Sequence, residues 1–230
     1  MHLPFEQFPT LSAIAMFRHV FTQRIPNIDV SHDKAEVLDR LDAAHRKIRN
    51  ATGFGDWPLF TAEQVHGNKI AVVEPAVASA VFSRVDGREF PGCDAIITNQ
   101  RGVALGIYVA DCCAVYIVDT KTPAIGLVHS GRKGTELGVV TNAIGQMTER
   151  FGSAPADLIV QLSPCIRPPH YEVDFAAEII RQCRALGVKE IHDSRTCTAC
   201  DLSRYYSYRV EKGKTGRMLA VLGLHPEIAN

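Results

Sequence analysis

The stretch Leu105 to Asp119, LGIYVADCCAVYIVD, sets the tightest constraint on how this chain folds. It is apolar and rich in β-branched residues, so it reads as a buried strand. Its middle nevertheless carries Asp111, Cys112 and Cys113. A carboxylate in a core is costly unless it is paired or hydrogen-bonded. The strand is therefore expected to end or open at a polar site near Ala110 to Cys112. Neighbouring side chains on a regular strand point to opposite faces, so the two thiols cannot share one pocket. A buried cysteine is ordinarily a small hydrophobe; the acid beside this pair argues that one of the two does something else.

Strand signals crowd around this stretch: DAIIT, VALGIYVA, CAVYIVD and AIGLVHS predict a central sheet. LSAIAMFRHVF reads as an early strand, Ile70 to Val73 as another after the HGN turn, and DLIVQLSP and RMLAVLGL as later ones. Helical spacing appears at Val37, Leu41, Ala44 and Ile48, behind a capping box of Asp33 and Glu36. It recurs in TELGVVTNAIGQMTERFG, with Leu137, Val140, Ile144, Met147 and Phe151 as the stripe and Gly152 as the stop. DFAAEIIRQCRALG and DLSRYYSYRVEKG read as further helices, and Pro75 to Pro91 as a loop or excursion. With no repeat and no linker, the expectation is an α/β fold: a single domain over residues 1–230, with a mixed β-sheet core flanked by helices.

Bulk charge excludes some partners. The chain has 25 basic and 25 acidic residues, so there is no whole-chain pull toward nucleic acid or an anionic membrane. MHLPFEQFPT lacks the basic and apolar regions of a secretion signal. The longest apolar run is short and broken by Asp111, which argues against a membrane span. Seven cysteines, an odd number, suit a reducing cytoplasm better than a disulfide framework.

Chemistry-bearing residues gather at strand ends. His66 in EQVHGN and His129 in GLVHSGRKGTE each meet a turn. One histidine alone is usually a surface or satisfied core residue. Two imidazoles with one cysteine sulfur form a three-ligand zinc set that leaves a fourth position for water or substrate. HSGRKGTE also leads a glycine-rich turn into a helix start, with Arg132 and Lys133 inside it. Such a start favours an anion, against the plainer reading of a solvated basic turn. Arg24 in FTQRIP is a further candidate anion contact. Cys197 and Cys200 form a CxxC in CTAC, which lacks a second such pair and reads as a turn before a helix. Cys165 in SPCI reads first as a packing cysteine.

Five blocks in order, QVHGNKI, DAIITNQRGVALGIYVADCCAVYIVD, AIGLVHSGRKGTELGVV, LSPCIRPPHYEV and YYSYRVEKGKTGRMLAVLGL, resemble the laccase-domain family from about Phe60 to Leu224. Its members were once described as polyphenol oxidases and later as purine nucleoside phosphorylases with adenosine deaminase activity. The resemblance implies a single α/β domain and a zinc site at His66, Cys112 and His129. It implies phosphorolysis of adenosine, inosine, guanosine and methylthioadenosine, and deamination of adenosine. On this reading Cys112 faces the metal, Cys113 faces the core, and Asp111 polarises or orients the site. Asp111, His66 and Cys112 are then the catalytic candidates, and Arg24, Arg132 and Lys133 the candidates for binding phosphate. The chain departs from the family's H-A-G-W-R-G-T, reading HSGRKGT: Arg132 stands for a tryptophan and Lys133 for an arginine. A stacking surface is lost and a bidentate fork becomes a point charge. LSPCI likewise stands for I-G-P-C-I.

Three other readings compete. Without a metal, Cys112 as nucleophile and His129 as base would make a thiol hydrolase or deamidase. A copper phenol oxidase ranks lower, because one three-ligand site is thin for multicopper chemistry. A non-catalytic partner-binding module would need a large exposed apolar patch. The oligomeric state is not legible in the sequence.

Overall fold

The computed structural model describes residues 3–74, 82–84 and 87–226. Two mixed sheets carry the fold, where the sequence suggested one central sheet. Five strands of the first lie early in the chain: β1 (Phe5–Glu6), β2 (Phe17–Thr22), β3 (Leu59–Ala62), and, beyond β4 (Ile70–Val73) of the second sheet, β5 (Phe82–Arg84) and β6 (Gly87–Phe90). The chain then alternates: β7 (Ala95–Thr98) joins the second sheet, β8 (Ala104–Val109) the first, β9 (Cys113–Asp119) and β10 (Ile125–Ser130) the second. Strands β11 (Leu158–Leu162) and β12 (Glu190–Asp193) extend the second sheet, and β13 (Met218–Leu224) returns to the middle of the first. The first sheet has the order β1-β2-β13-β8-β3-β6-β5 and the second β12-β11-β9-β10-β7-β4.

The opening stretch is where the two sheets part. β8 ends at Val109 in one sheet and β9 begins at Cys113 in the other. The break predicted at Ala110 to Cys112 is thus present, and Asp111 makes it with φ at +82°. Along β9, Ala114, Tyr116 and Val118 pack in the core between the sheets, while Cys113, Val115 and Ile117 face the opposite way. There they meet the helices α4 (Val139–Phe151) and α5 (Phe175–Ala185). One strand buried on both faces explains why LGIYVADCCAVYIVD shows no polar alternation. The Tyr116 hydroxyl bridges the layers by donating to the Val20 carbonyl of β2 at 2.9 Å.

The long early helix α2 forms as read, over Lys34–Ala51, with the Asp33 side chain accepting from the Glu36 amide. Other expectations need correction. The early strand begins only at Phe17, because Pro9 starts a short helical turn, α1 (Pro9–Ser12). The single helix expected from Thr135 to Gly152 is two: Arg132–Glu136 (α3) and α4, separated by Gly138 at φ +70°. Leu137, assigned to its apolar stripe, sits at that break and is 48% exposed. DLSRYYSYRVEKG is a run of turns rather than a helix. Tyr205 and Tyr206 are both buried though adjacent, and the Tyr206 hydroxyl exchanges hydrogen bonds with Ile25 across the fold. Within Pro75 to Pro91, read as a loop, β6 pairs in parallel with β3; residues 75–81 and 85–86 lie outside the described residues.

Tyr116→Phe removes the hydroxyl that joins the sheets and is expected to lower the unfolding free energy by about 1 kcal/mol, read as a shifted urea midpoint. A second expectation concerns acid. His19 is buried, its Nε2 accepts from the Phe8 amide at 2.7 Å, and burial pushes its pKa down to about 4. Unfolded, the same ring protonates below about 6.5. Between those values the unfolded chain binds the extra proton, so stability falls as pH drops from about 6.5 and this contribution levels off below about 4. Urea midpoints measured across that window should show a shallower slope for His19→Gln than for the parent.

Candidate metal centre

Three chain segments converge beside the strand break. His66 sits in the bend between β3 and β4, Cys112 immediately before β9, and His129 near the end of β10. One ligand atom from each lies within 4.8 Å of the others. The two imidazole rings meet edge to face, with centroids 4.8 Å apart. Among the described residues this is the one such cluster of at least three donors. Cys113, the neighbouring thiol, is buried in the layer between sheet and helices.

Asp94, which the sequence reading passed over, holds the cluster together. It is fully buried immediately before β7. Its Oδ1 accepts from the His129 Nδ1 at 2.8 Å and from the His66 amide at 2.8 Å; its Oδ2 accepts from the Gly67 amide at 2.7 Å. The Asp94 carbonyl takes the His129 amide at 2.7 Å as well. Burial pushes the carboxyl up, but the His129 ring and the two amides together hold it below the usual range. With Nδ1 committed to Asp94, His129 has Nε2 left for a ligand, the carboxylate–histidine arrangement common around bound metals. The signal available in the sequence was an aspartate opening an otherwise apolar strand, CDAIIT.

The electrostatics suit a cation. Burial pushes the Cys112 thiol up, yet His129 and His66 beside it bring the pKa down to about 6. Burial pushes the His129 imidazole down, yet Cys112 and Asp94 raise it to about 9. The two shifts favour a thiolate beside an imidazolium. A metal ion would take the place of that proton, and two imidazoles plus one thiolate match a zinc site with one position open. Gly131 makes room: a Cβ there would lie 2.5 Å from the Cys112 Sγ. The backbone is held in uncommon conformations on both sides, with Gln64 at φ +66°, His66 at +61° and Asp111 at +82°. The Gln64 side chain fixes its segment by pairing with both backbone groups of Tyr108, at 2.6 and 2.9 Å.

Asp111 lines the same cavity, and its carboxylate is already engaged. It accepts from the Thr198 hydroxyl at 2.7 Å, the Ser207 hydroxyl at 3.1 Å and the Arg209 amide at 2.7 Å. The cavity is about 810 Å3 and contains His66, Cys112 and His129 in its wall. Lys34, Arg132, Lys133, Arg209, Lys212 and Arg217 also face it, against the acids Asp111 and Glu136. Arg132 pairs with Glu136 at 2.9 Å and lies 3.8 Å from Glu172. The helix it starts, α3, spans only Arg132–Glu136, too short for the macrodipole expected at this turn to be large. Arg24 is not among the lining residues. It pairs with Glu211 at 2.8 Å and its guanidinium stacks 4.4 Å over the Tyr206 ring.

The family model described as multi-copper polyphenol oxidoreductase laccase matches residues 22–178 and 173–225. A purine nucleoside phosphorylase of Corynebacterium glutamicum is 32% identical over 207 residues, covering 79% of this chain and 80% of that protein. The purine nucleoside phosphorylase YlmD of Geobacillus stearothermophilus is 29% identical over 232 residues, covering 82% of this chain and 81% of that one. The crystal structure of that YlmD superposes with a TM-score of 0.80 over 95% of this chain and 94% of its own, at 24% identity. The Bacillus licheniformis protein YfiH superposes at 0.76 over 90% and 92%, at 22% identity. Both are the same mixed α/β architecture.

Asp94→Asn takes away the charge that orients His129 and the acceptor shared with His66. Zinc affinity, measured by competition with a chromophoric chelator, is expected to weaken about 10–100-fold while circular dichroism stays unchanged.

Proposed function

The chain belongs to the family described as multi-copper polyphenol oxidoreductase laccase, and from that premise we propose that it is a zinc-dependent purine nucleoside phosphorylase that also deaminates adenosine. The observation that carries the reading is the meeting of His66, Cys112 and His129 in the wall of a cavity lined by cations. Relatives at 29–32% identity that bear the phosphorylase name support the reaction class. Inosine, guanosine and methylthioadenosine are the other proposed substrates. The whole described chain acts as one domain, and its seven free cysteines suit the cytoplasm. No helix among the described residues is long and apolar enough to cross a membrane.

The chain's own groups divide the work. His66, Cys112 and His129 hold the ion, which when bound supplies Lewis acidity and makes water nucleophilic near neutral pH. Phosphorolysis needs an inorganic phosphate oriented to attack the ribose carbon while the purine leaves with the bond's electron pair. Lys133, Lys212 and Arg217 supply positive charge for that phosphate. Arg132 contributes less, because Glu136 already pairs with it. Tyr171, Phe175 and Tyr208 give the cavity its aromatic surface for a base. Asp111 serves as a positioning residue: with three donors on its carboxylate, it fixes the turn from which Cys112 projects. Arg24, tied to Glu211 and Tyr206, braces the 205–211 segment.

A copper phenol oxidase requires several copper centres to pass electrons to oxygen, and the described residues hold one three-donor cluster. The metal-free thiol reading draws on the proximity of Cys112 to His129 and His66, whose rings bring the thiol down to about 6. Metal content separates it from the zinc reading.

Protein purified without added metal should carry near-stoichiometric zinc. With adenosine it should yield adenine and ribose 1-phosphate only when phosphate is present, and inosine in either case. Cys112→Ala and His129→Ala should each lose the ion and about 100-fold or more of the turnover. Full activity in a zinc-free preparation would overturn the zinc reading in favour of a thiol hydrolase. Failure to act on any purine nucleoside would overturn the substrate class.

A further inference from the structure

Cys197 and Cys200 take no part in the metal centre, yet they are built into the turn that steadies it. They bracket a 3-10 turn over Thr198–Cys200, and the Cys200 amide donates to the Cys197 carbonyl at 3.2 Å. A closed four-residue turn brings its end α-carbons within about 7 Å, overlapping the roughly 4.4–6.8 Å that a disulfide spans. The Cys197 side chain pushes the Cys200 thiol beside it up, so thiol–disulfide exchange at Cys200 quickens as pH rises. Cys200 is exposed, while Cys197 is half-buried with its Sγ 4.0 Å from the Arg167 carbonyl. A reachable thiol therefore has a second thiol waiting beside it. The buried Cys113, Cys165 and Cys183 offer no such access.

Thr198 lies between the two cysteines and reaches the metal-bearing segment. Its amide donates to the Cys165 carbonyl at 3.2 Å, and its hydroxyl donates to Asp111 Oδ1 at 2.7 Å. Asp111 directly precedes Cys112, and its other carboxylate oxygen accepts the Arg209 amide at 2.7 Å. A covalent bond across the turn pulls on Thr198 from both sides.

We infer that Cys197 and Cys200 form a reversible intramolecular disulfide, and that this dithiol acts on the strand break at Asp111 through Thr198. The oxidant is a low-molecular-weight disulfide of the glutathione type. The Cys200 thiolate attacks one sulfur of that disulfide; its S–S bond breaks, and one thiolate leaves and takes a proton. The Cys197 thiolate then attacks the Cys200 sulfur of the mixed disulfide and expels the second thiolate. Two protein thiols are oxidised and one external disulfide is reduced to two thiols. Cys112 is held by the ion in the loaded protein, with Cys113 turned into the opposite layer, and burial pushes the half-buried Cys93 thiol up.

The test uses the full, zinc-loaded chain equilibrated in mixtures of reduced and oxidised glutathione, quenched in acid, alkylated and mapped by mass. Two thiols should be lost together, with the new bond inside the peptide spanning 197–200. Cys197→Ser and Cys200→Ser should each abolish it. Amide hydrogen exchange over residues 207–211 should quicken several-fold in the oxidised parent, and not in Cys200→Ser under the same buffer. A lasting glutathione adduct on Cys200, or a disulfide elsewhere, would overturn the dithiol. Bond formation with unchanged exchange at Arg209 would overturn the link to Asp111. Neither measurement involves turnover, so the result is independent of the proposed substrates.

Discussion

The fold turns on one carboxylate. Asp111 sits in a left-handed conformation that few residues other than glycine adopt, at the point where a continuous apolar run crosses from one sheet to the other. Such a backbone persists only when its surroundings over-determine it. Here the Asp111 side chain collects hydrogen bonds from Thr198, Ser207 and Arg209, and its carbonyl takes the Ile166 amide at 2.9 Å. Those partners come from distant parts of the chain. The same contacts that make the kink tolerable therefore bring the 198–209 segment over the cavity and set the direction of Cys112. Architecture and site share a single residue.

A second carboxylate organises the donors. Asp94 is buried with its charge compensated by the His129 ring and by the amides of His66 and Gly67. Removing those donors would leave an unpaired buried charge, which costs several kcal/mol; conversely, the donors are only oriented because the charge is there. The result is a preformed set of one cysteine sulfur and two histidine rings. A pre-positioned ligand set spares an incoming ion much of the ordering cost that a flexible site would impose.

The sequence made the break, the two histidines and most strands legible because each leaves a local mark, whereas the choice of Cys112 over Cys113 rested on the family resemblance. An acid in an apolar run, a histidine beside a turn and an alternation of β-branched residues are all short-range signals. What it hid depends on long-range placement. That β8 and β9 belong to different sheets follows from pairing with β13 and β10, partners far from the break or indistinguishable from other apolar strands. Asp94 was missed because its partners lie 27 to 35 residues away. The 201–213 segment carries helix-like spacing, and the competing burial of Tyr205 and Tyr206 against the N-terminal third overrides local propensity. Gly138 lies inside the stretch read as one helix and instead separates two.

The departures at Arg132 and Lys133 acquire a physical meaning from their surroundings. Arg132 is half-exposed and paired with Glu136, with Glu172 within reach; Glu172 in turn pairs with Arg209 at 2.8 Å. Arg209 stacks 4.7 Å over the Tyr171 ring. Where the resemblance leads one to expect an indole, the chain thus has a charged strap running from 132 through Glu172 to Arg209 and Tyr171. Its charges largely cancel, so it adds little pull on an anion and more order to the cavity wall. Lys133 carries the positive charge of the replaced arginine without its fork, and can follow an anion but not fix its orientation. A wall ordered by ion pairs, with lysine point charges in place of a fork, favours a ligand positioned by its aromatic face and by the three-donor centre more than by a rigid phosphate clamp.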